Sequence, residues 1–155
     1  DPPDGYAEAA RAAARSIDFA GRLEYDEVAH AVRSSDAMVV PSTFPEAFGM
    51  VAAEAASTGA FPVCARHSGL AEVAGALAGE LPPGVGELTS FPLGPGAVEG
   101  IADRVDRWLA LPEADRAAAS ADLAAAVRAR WSWESVGQTV LAASEGDLGD
   151  LVRVA

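Results

Sequence analysis

The chain has 155 residues, half of them hydrophobic and 22% charged, which fits one compact domain with a core of its own and excludes wholesale disorder. Its formal charge is −12, and all 11 basic residues are Arg, with no Lys and no Asn anywhere. This balance argues against nucleic acid or an anionic membrane as the main partner, and the missing Lys excludes a Lys Schiff base, a Walker-A Lys and Lys general-base chemistry. A bound phosphate would have to rely on peptide dipoles and a few Arg. The interior must also be lean, since 36 residues are Ala and only ten are Phe, Tyr or Trp.

In chain order, a DPPDG turn leads into an Ala-rich helix from Tyr6 to Arg15. Ile17 to Ala20 (IDFA) reads as a short strand closed by Gly21. Tyr25 to Arg33 places Val28, Ala29 and Val32 on one face, the pattern of an amphipathic helix. Asp36 to Val40 is an apolar run ended by Pro41, as buried parallel strands are. A polar PSTFPE turn follows, then a helix over AFGMVAAEAAST with Gly59 as its stop.

Phe61 to Ala65 reads as another strand, RHSG as a loop and Leu70 to Leu77 as a helix. The Gly- and Pro-rich stretch from Gly79 to Gly96 holds one further strand around Leu88 to Phe91. After it come three helices, from Ala97 to about Ala110, Pro112 to about Arg130 and Ser132 to about Ser144. Residues 1–145 thus form the domain and 146–155 a loosely held tail. Alternating strands and helices predict an α/β fold, a Rossmann-like parallel sheet with flanking helices and a helical C-terminal segment. Ligands in such sheets sit beyond the carboxyl ends of strands, so the loop after Val40 is the one to inspect.

The single cysteine, Cys64, cannot form an internal disulfide, and in the apolar FPVCA run it reads as a small buried hydrophobe. A reducing, cytoplasmic location is the expectation. Two separated His with no CxxC or HExxH give no support for a metal site, and no apolar stretch is long enough for a transmembrane segment.

In the loop and helix after Val40, Glu46 falls at the helix mouth and Glu54 eight residues on. A helical step of eight residues rises ~12 Å, about the length of a nucleoside diphosphate sugar. Between the carboxylates lie the unbonded amides around Phe48, Gly49, Met50 and Val51, an anion site supplied by a helix N-terminus, and Gly49 permits close approach to the backbone. Taken alone, a Glu in a first turn also suits the helix macrodipole, and a second Glu in a helix is commonly just solvated.

The run PSTFPEAFGMVAAEAASTGAFPVCARHSGLAEV resembles the E-x7-E signature of retaining glycosyltransferases of the GT-B fold, most closely glycosyltransferase family 4 (group 1). FAGRLEYDEVAHAVRSSDAMVVPS resembles the strand, Gly-containing loop, helix and strand that precede that motif, and WSWESV its C-terminal Trp-Glu signature. The likeness runs from about residue 5 to 145. It implies the C-terminal, donor-binding half of a two-domain enzyme, with Glu46 on donor-sugar hydroxyls as the residue nearest the chemistry. Phe48, Gly49, Met50 and Val51 would lie along the sugar and diphosphate, and Glu54 on the ribose. Gly21, Arg22 and Leu23, with Pro41 and Ser42, would border the base.

The implied reaction is transfer of a hexosyl group from a nucleotide sugar, such as a UDP- or GDP-sugar, to an acceptor hydroxyl of unknown identity. Configuration is retained, with no cofactor and no metal. Family members usually carry an Arg and a Lys on the diphosphate after the first strand of this domain, and this sequence has no Lys. The first strands of the sheet and the N-terminal GT-B domain are therefore expected to be missing, IDFA to lack its native neighbour, and the 155 residues alone to be inactive. A non-catalytic nucleotide-binding module and a purely structural domain on the same fold are the alternatives. Arg66 is placed either on the diphosphate or in a surface ion pair, and His67 and Ser68 either near a donor phosphate or in a simple turn. Trp131 and Trp133 are expected to pack, or to brace the last helix against a further domain.

Overall fold

The structure, a computed structural model, describes residues 6–147 and 149. The DPPDG turn and most of the tail over 146–155 lie outside the described residues. The Ala-rich opening folds as helix α1 (Tyr6–Ala13) and a 3-10 turn (Ala14–Ser16), and the amphipathic segment as α2 (Tyr25–Arg33). In α2, Glu24 and Glu27 form a reciprocal capping box that satisfies two amides a helix start would otherwise leave bare. Strand β1 (Ala37–Val40), helix α3 (Met50–Thr58), strand β2 (Phe61–Ala65) and helix α4 (Ser68–Ala78) then alternate. Gly59 ends α3 with φ +96°, the left-handed conformation its lack of a side chain allows.

The Gly/Pro stretch folds differently from the expected strand. A one-turn helix α5 (Pro83–Gly86) runs into a 3-10 turn (Glu87–Thr89), and strand β3 keeps only Ser90–Phe91. Tertiary bonding sets this outcome: the buried Thr89 hydroxyl donates to Gly86 O at 2.8 Å, and Ala74 O lies at 3.3 Å. Helices α6 (Ala97–Leu109), α7 (Glu113–Trp131) and α8 (Trp133–Ser144) complete the chain, α8 capped by Ser132 Oγ accepting from the Ser135 amide at 3.1 Å.

The three strands are parallel in the order β1-β2-β3, with Ala37 opposite Phe61, Val40 opposite Cys64 and Ala65 opposite Phe91. The fold is thus α/β, a parallel sheet flanked by helices. Every residue of β2 is buried, as a central parallel strand covered on both faces must be. Phe61 stacks on Trp108 of α6 at 4.0 Å between centroids, and the Trp108 indole N–H donates to Asp36 O at 2.9 Å. One residue thereby closes the core and ties α6 to the entry of β1. On the other face α3 buries Ala52, Ala53, Ala55 and Ala56, and α7 buries Ala119, Leu123 and Val127. Ala lets two helix backbones approach closely, which suits a chain with few large side chains.

The expected strand over Ile17 to Ala20 is absent. Ile17 is extended, but no strand pairs with it, and Phe19 is 89% exposed. Among the described residues β1 is bonded along one edge only. Apolar residues alternating in an extended segment become a strand only when a neighbour receives their backbone hydrogen bonds, and IDFA has none here.

Candidate functional site

Beyond the carboxyl end of β1, residues 41–49 form a loop against the first turn of α4. Gly49 has φ +91°, and a Cβ there would come within 2.9 Å of the Leu70 side chain and 3.1 Å of its Cα. Gly69 is tighter still, since its Cβ would stand 2.5 Å from the Phe48 backbone. One glycine on each side of the contact lets the loop lie directly on α4.

Three hydrogen bonds fasten it there, two of them linked by a fourth between His67 and Ser68. The Gly69 amide donates to Glu46 O at 2.9 Å, and the Glu46 amide donates to Ser68 Oγ at 3.0 Å. Ser68 Oγ lies 3.0 Å from His67 Nδ1, and His67 Nε2 lies 2.7 Å from Ser42 O. The Glu46 backbone is held on both sides, while its half-buried side chain makes no hydrogen bond or ion pair among the described residues. Its charge lies over the end of the sheet: the Cys64 thiol is pushed up to about 12, first by burial and then by the Glu46 carboxylate. Cys64 is wholly buried, and burial keeps it a thiol.

The helix starts later than the sequence suggests. Gly49 is the residue before its first turn, and Phe48 belongs to the loop, so the first helical amides are those of Met50 and Val51; the Ala52 amide is already taken by Gly49 O at 3.1 Å. The separation of Glu46 and Glu54 is therefore part loop and part helix, and the ~12 Å expected of eight helical residues does not apply. The order along the chain survives: a carboxylate, a loop and helix start rich in amides, and a second carboxylate one turn into α3.

Glu54 is exposed and lines two adjoining grooves. One, of about 530 Å³, also takes Tyr25, Phe48, Met50, Trp131 and Trp133, and the other, of about 300 Å³, takes Tyr25, Val28, Val32, Met38 and Val51. Tyr25 belongs to both. Phe48 packs edge-on against Trp131 at 5.4 Å, so Trp131 packs as expected, whereas Trp133 is 92% exposed and forms an open wall.

Of the residues expected at the base, Ser42 is tied to His67, and Pro41 opens the same loop. Gly21, Arg22 and Leu23 line neither groove. Gly21 has φ +70° and nothing within 4 Å of the point where a Cβ would stand, and Arg22 makes an exposed ion pair with Glu24 at 3.8 Å. Tyr25, two positions further on, lines both grooves and had not been singled out from the sequence, where an aromatic opening a helix beside the Gly loop was the available clue. Arg66 makes no ion pair among the described residues and lines a separate groove between α4 and the end of the sheet, with Arg104 and Glu87. Among the described residues no three His, Cys, Asp or Glu side chains gather to hold a metal ion.

The loop after β1 and the start of α3 lie beyond the carboxyl edge of a parallel sheet, where proteins of this architecture bind their ligands, although Glu46 lines neither of the grooves that Glu54 lines. The family of glycosyl transferases group 1 matches residues 7–123, three quarters of the chain, and the protein belongs to it. Membership supports glycosyl transfer, from a donor to an acceptor, as its activity. Neither curated proteins nor solved structures gave a match. No helix among the described residues is long and apolar enough to cross a membrane.

Proposed function

We propose that the chain is the donor-binding part of a retaining, hexosyl-transferring enzyme of glycosyltransferase family 4, with a nucleoside diphosphate sugar such as a UDP- or GDP-sugar as donor. The observation that carries it is Glu46, pinned through its backbone while its carboxylate stays free at the carboxyl edge of the sheet, next to the amide-rich start of α3. Glu46 accepts from hydroxyls of the donor sugar. The amides of Phe48, Gly49, Met50 and Val51 face the sugar and the diphosphate, and Glu54 accepts from the ribose diol. Pro41, Ser42 and the Gly21–Leu23 loop border the base.

In the reaction the bond from the anomeric carbon to the diphosphate oxygen breaks, and a bond to the acceptor oxygen forms on the same face. The acceptor proton passes to the departing diphosphate. Charge grows on that leaving group, so fixed amide dipoles that are already oriented lower the barrier. In a chain with no Lys, these dipoles supply much of what cations supply elsewhere. Among the described residues one edge of β1 and the IDFA segment are unpaired, which supports a sheet completed by other chain, and the 155 residues alone are expected to show no turnover.

Calorimetry of the full-length protein against UDP, GDP and ADP tests the reading. One nucleotide binds, and Glu54→Ala weakens it about tenfold or more, as loss of a charged hydrogen-bond acceptor does. Equal affinity in the Glu54→Ala protein overturns the ribose role.

A further inference from the structure

The bonds that tie residues 41–49 to α4 run in one direction. A ring nitrogen 2.7 Å from a carbonyl must carry a proton, so His67 Nε2–H donates to Ser42 O. In the neutral ring Nδ1 is then an acceptor, and it takes the proton of the Ser68 hydroxyl 3.0 Å away. The hydroxyl oxygen in turn accepts the Glu46 amide at 3.0 Å. The series Glu46 N–H, Ser68 O–H, His67 ring, Ser42 O thus joins two points four residues apart in one loop through two adjacent residues of another. Residues 43–45 are strung between them.

Ser68 is held there at a cost. It has φ +46°, and it is the one non-glycine with positive φ among the described residues. Glycine would take this conformation freely; serine does not. What serine adds at that position is the hydroxyl, and the hydroxyl's contacts are Glu46 and His67. The same turn holds the other side of Glu46 through the Gly69 amide, so a shift of Ser68 is passed to Glu46 directly.

We infer that His67 and Ser68 are positioning residues for glycosyl transfer: together they form a latch that sets Glu46 against the donor sugar. The inference rests on the reading of Glu46 as the donor-sugar contact. The latch acts through the loop that carries Glu46: one end is the Glu46 amide, and the other is the Ser42 carbonyl, which the proposed reading sets beside the base. Removing the Ser68 hydroxyl, at the Glu46 end, therefore lowers the rate of transfer while leaving nucleotide binding in place, because a contact to the sugar that is misplaced is lost chiefly in the transition state.

The test uses the full-length protein with Ser68→Gly, His67→Ala, His67→Gln and Glu46→Gln, each measured for melting temperature, nucleoside diphosphate affinity, and kcat and KM with the donor sugar. Ser68→Gly melts at or above the temperature of the unaltered protein, because the glycine relieves the positive φ, and it keeps the nucleotide affinity while kcat falls about tenfold. His67→Ala loses a similar factor. His67→Gln recovers most of it, since its amide can both donate to Ser42 O and accept from Ser68. Unchanged kcat in Ser68→Gly, or a loss that follows a lowered melting temperature and nucleotide affinity, overturns the latch. If Glu46→Gln lowers kcat while Ser68→Gly does not, the latch alone falls; if Glu46→Gln transfers normally, the reading of Glu46 falls and takes the latch with it.

Discussion

Two loops of the chain were expected to serve one ligand, and they are built in opposite ways. Residues 41–49 lie on α4 with two glycines at van der Waals limits and a chain of hydrogen bonds, so Glu46 arrives preorganised. The loop at Gly21–Glu24 is open, with Gly21 touching nothing and Arg22 paired only with a neighbour in solvent. A sugar and its leaving group demand fixed geometry, because misplacement there is paid for in rate; a base can be gripped by shape alone. On the proposed reading, the contrast separates a part of the site where position decides the rate from a part where contact decides affinity.

Substitutions in the two loops can break or sharpen that contrast. The largest effect is expected from Gly69→Ala, whose methyl would meet the Phe48 backbone: it should destabilise by about 3 kcal/mol, lowering the melting temperature by roughly 10 °C, with donor binding lost as the loop is pushed off. Gly21→Ala meets open space and suffers only from its φ of +70°, so about 1 kcal/mol is expected in denaturant unfolding. A loss as large as that of Gly69→Ala would show the first loop to be packed after all. Arg22→Ala removes a solvated ion pair and should change stability by less than about 0.5 kcal/mol, leaving any effect on nucleotide affinity to be read cleanly by calorimetry.

The sequence made the central layer legible because its evidence is local. FPVCA is an apolar run of five residues ended by Arg66, and it is the buried middle strand; Glu46, Glu54 and the helix start between them could be named from the sequence, but the helical rise expected to separate them could not. What escaped depends on distant partners. IDFA has the composition of a strand and no neighbour to bond, and Leu88 turns into a 3-10 segment because Thr89 is bonded beneath α4. The start of α3 was set too early, since Ala47 and Phe48 suit a helix but Gly49, at φ +91° and close against Leu70, breaks it. The roles of His67 and Ser68 were hidden for the same reason: their partners lie 25 and 22 residues away.

Cys64 gives the molecule a recorder of its own opening. It is the only thiol in the 155 residues, it is wholly buried in the middle strand, and its proton is held from the ordinary 9.0 up to about 12. A raised value means that the folded state keeps the proton longer than the unfolded one: the stability it brings is complete below about pH 9 and drains away as pH climbs towards 12. Below that range a thiol reagent finds neither access nor thiolate until β2 is uncovered. The rate at which such a reagent consumes Cys64 is then a clock for breaching the sheet, and it ticks independently of any sugar, nucleotide or assay of transfer.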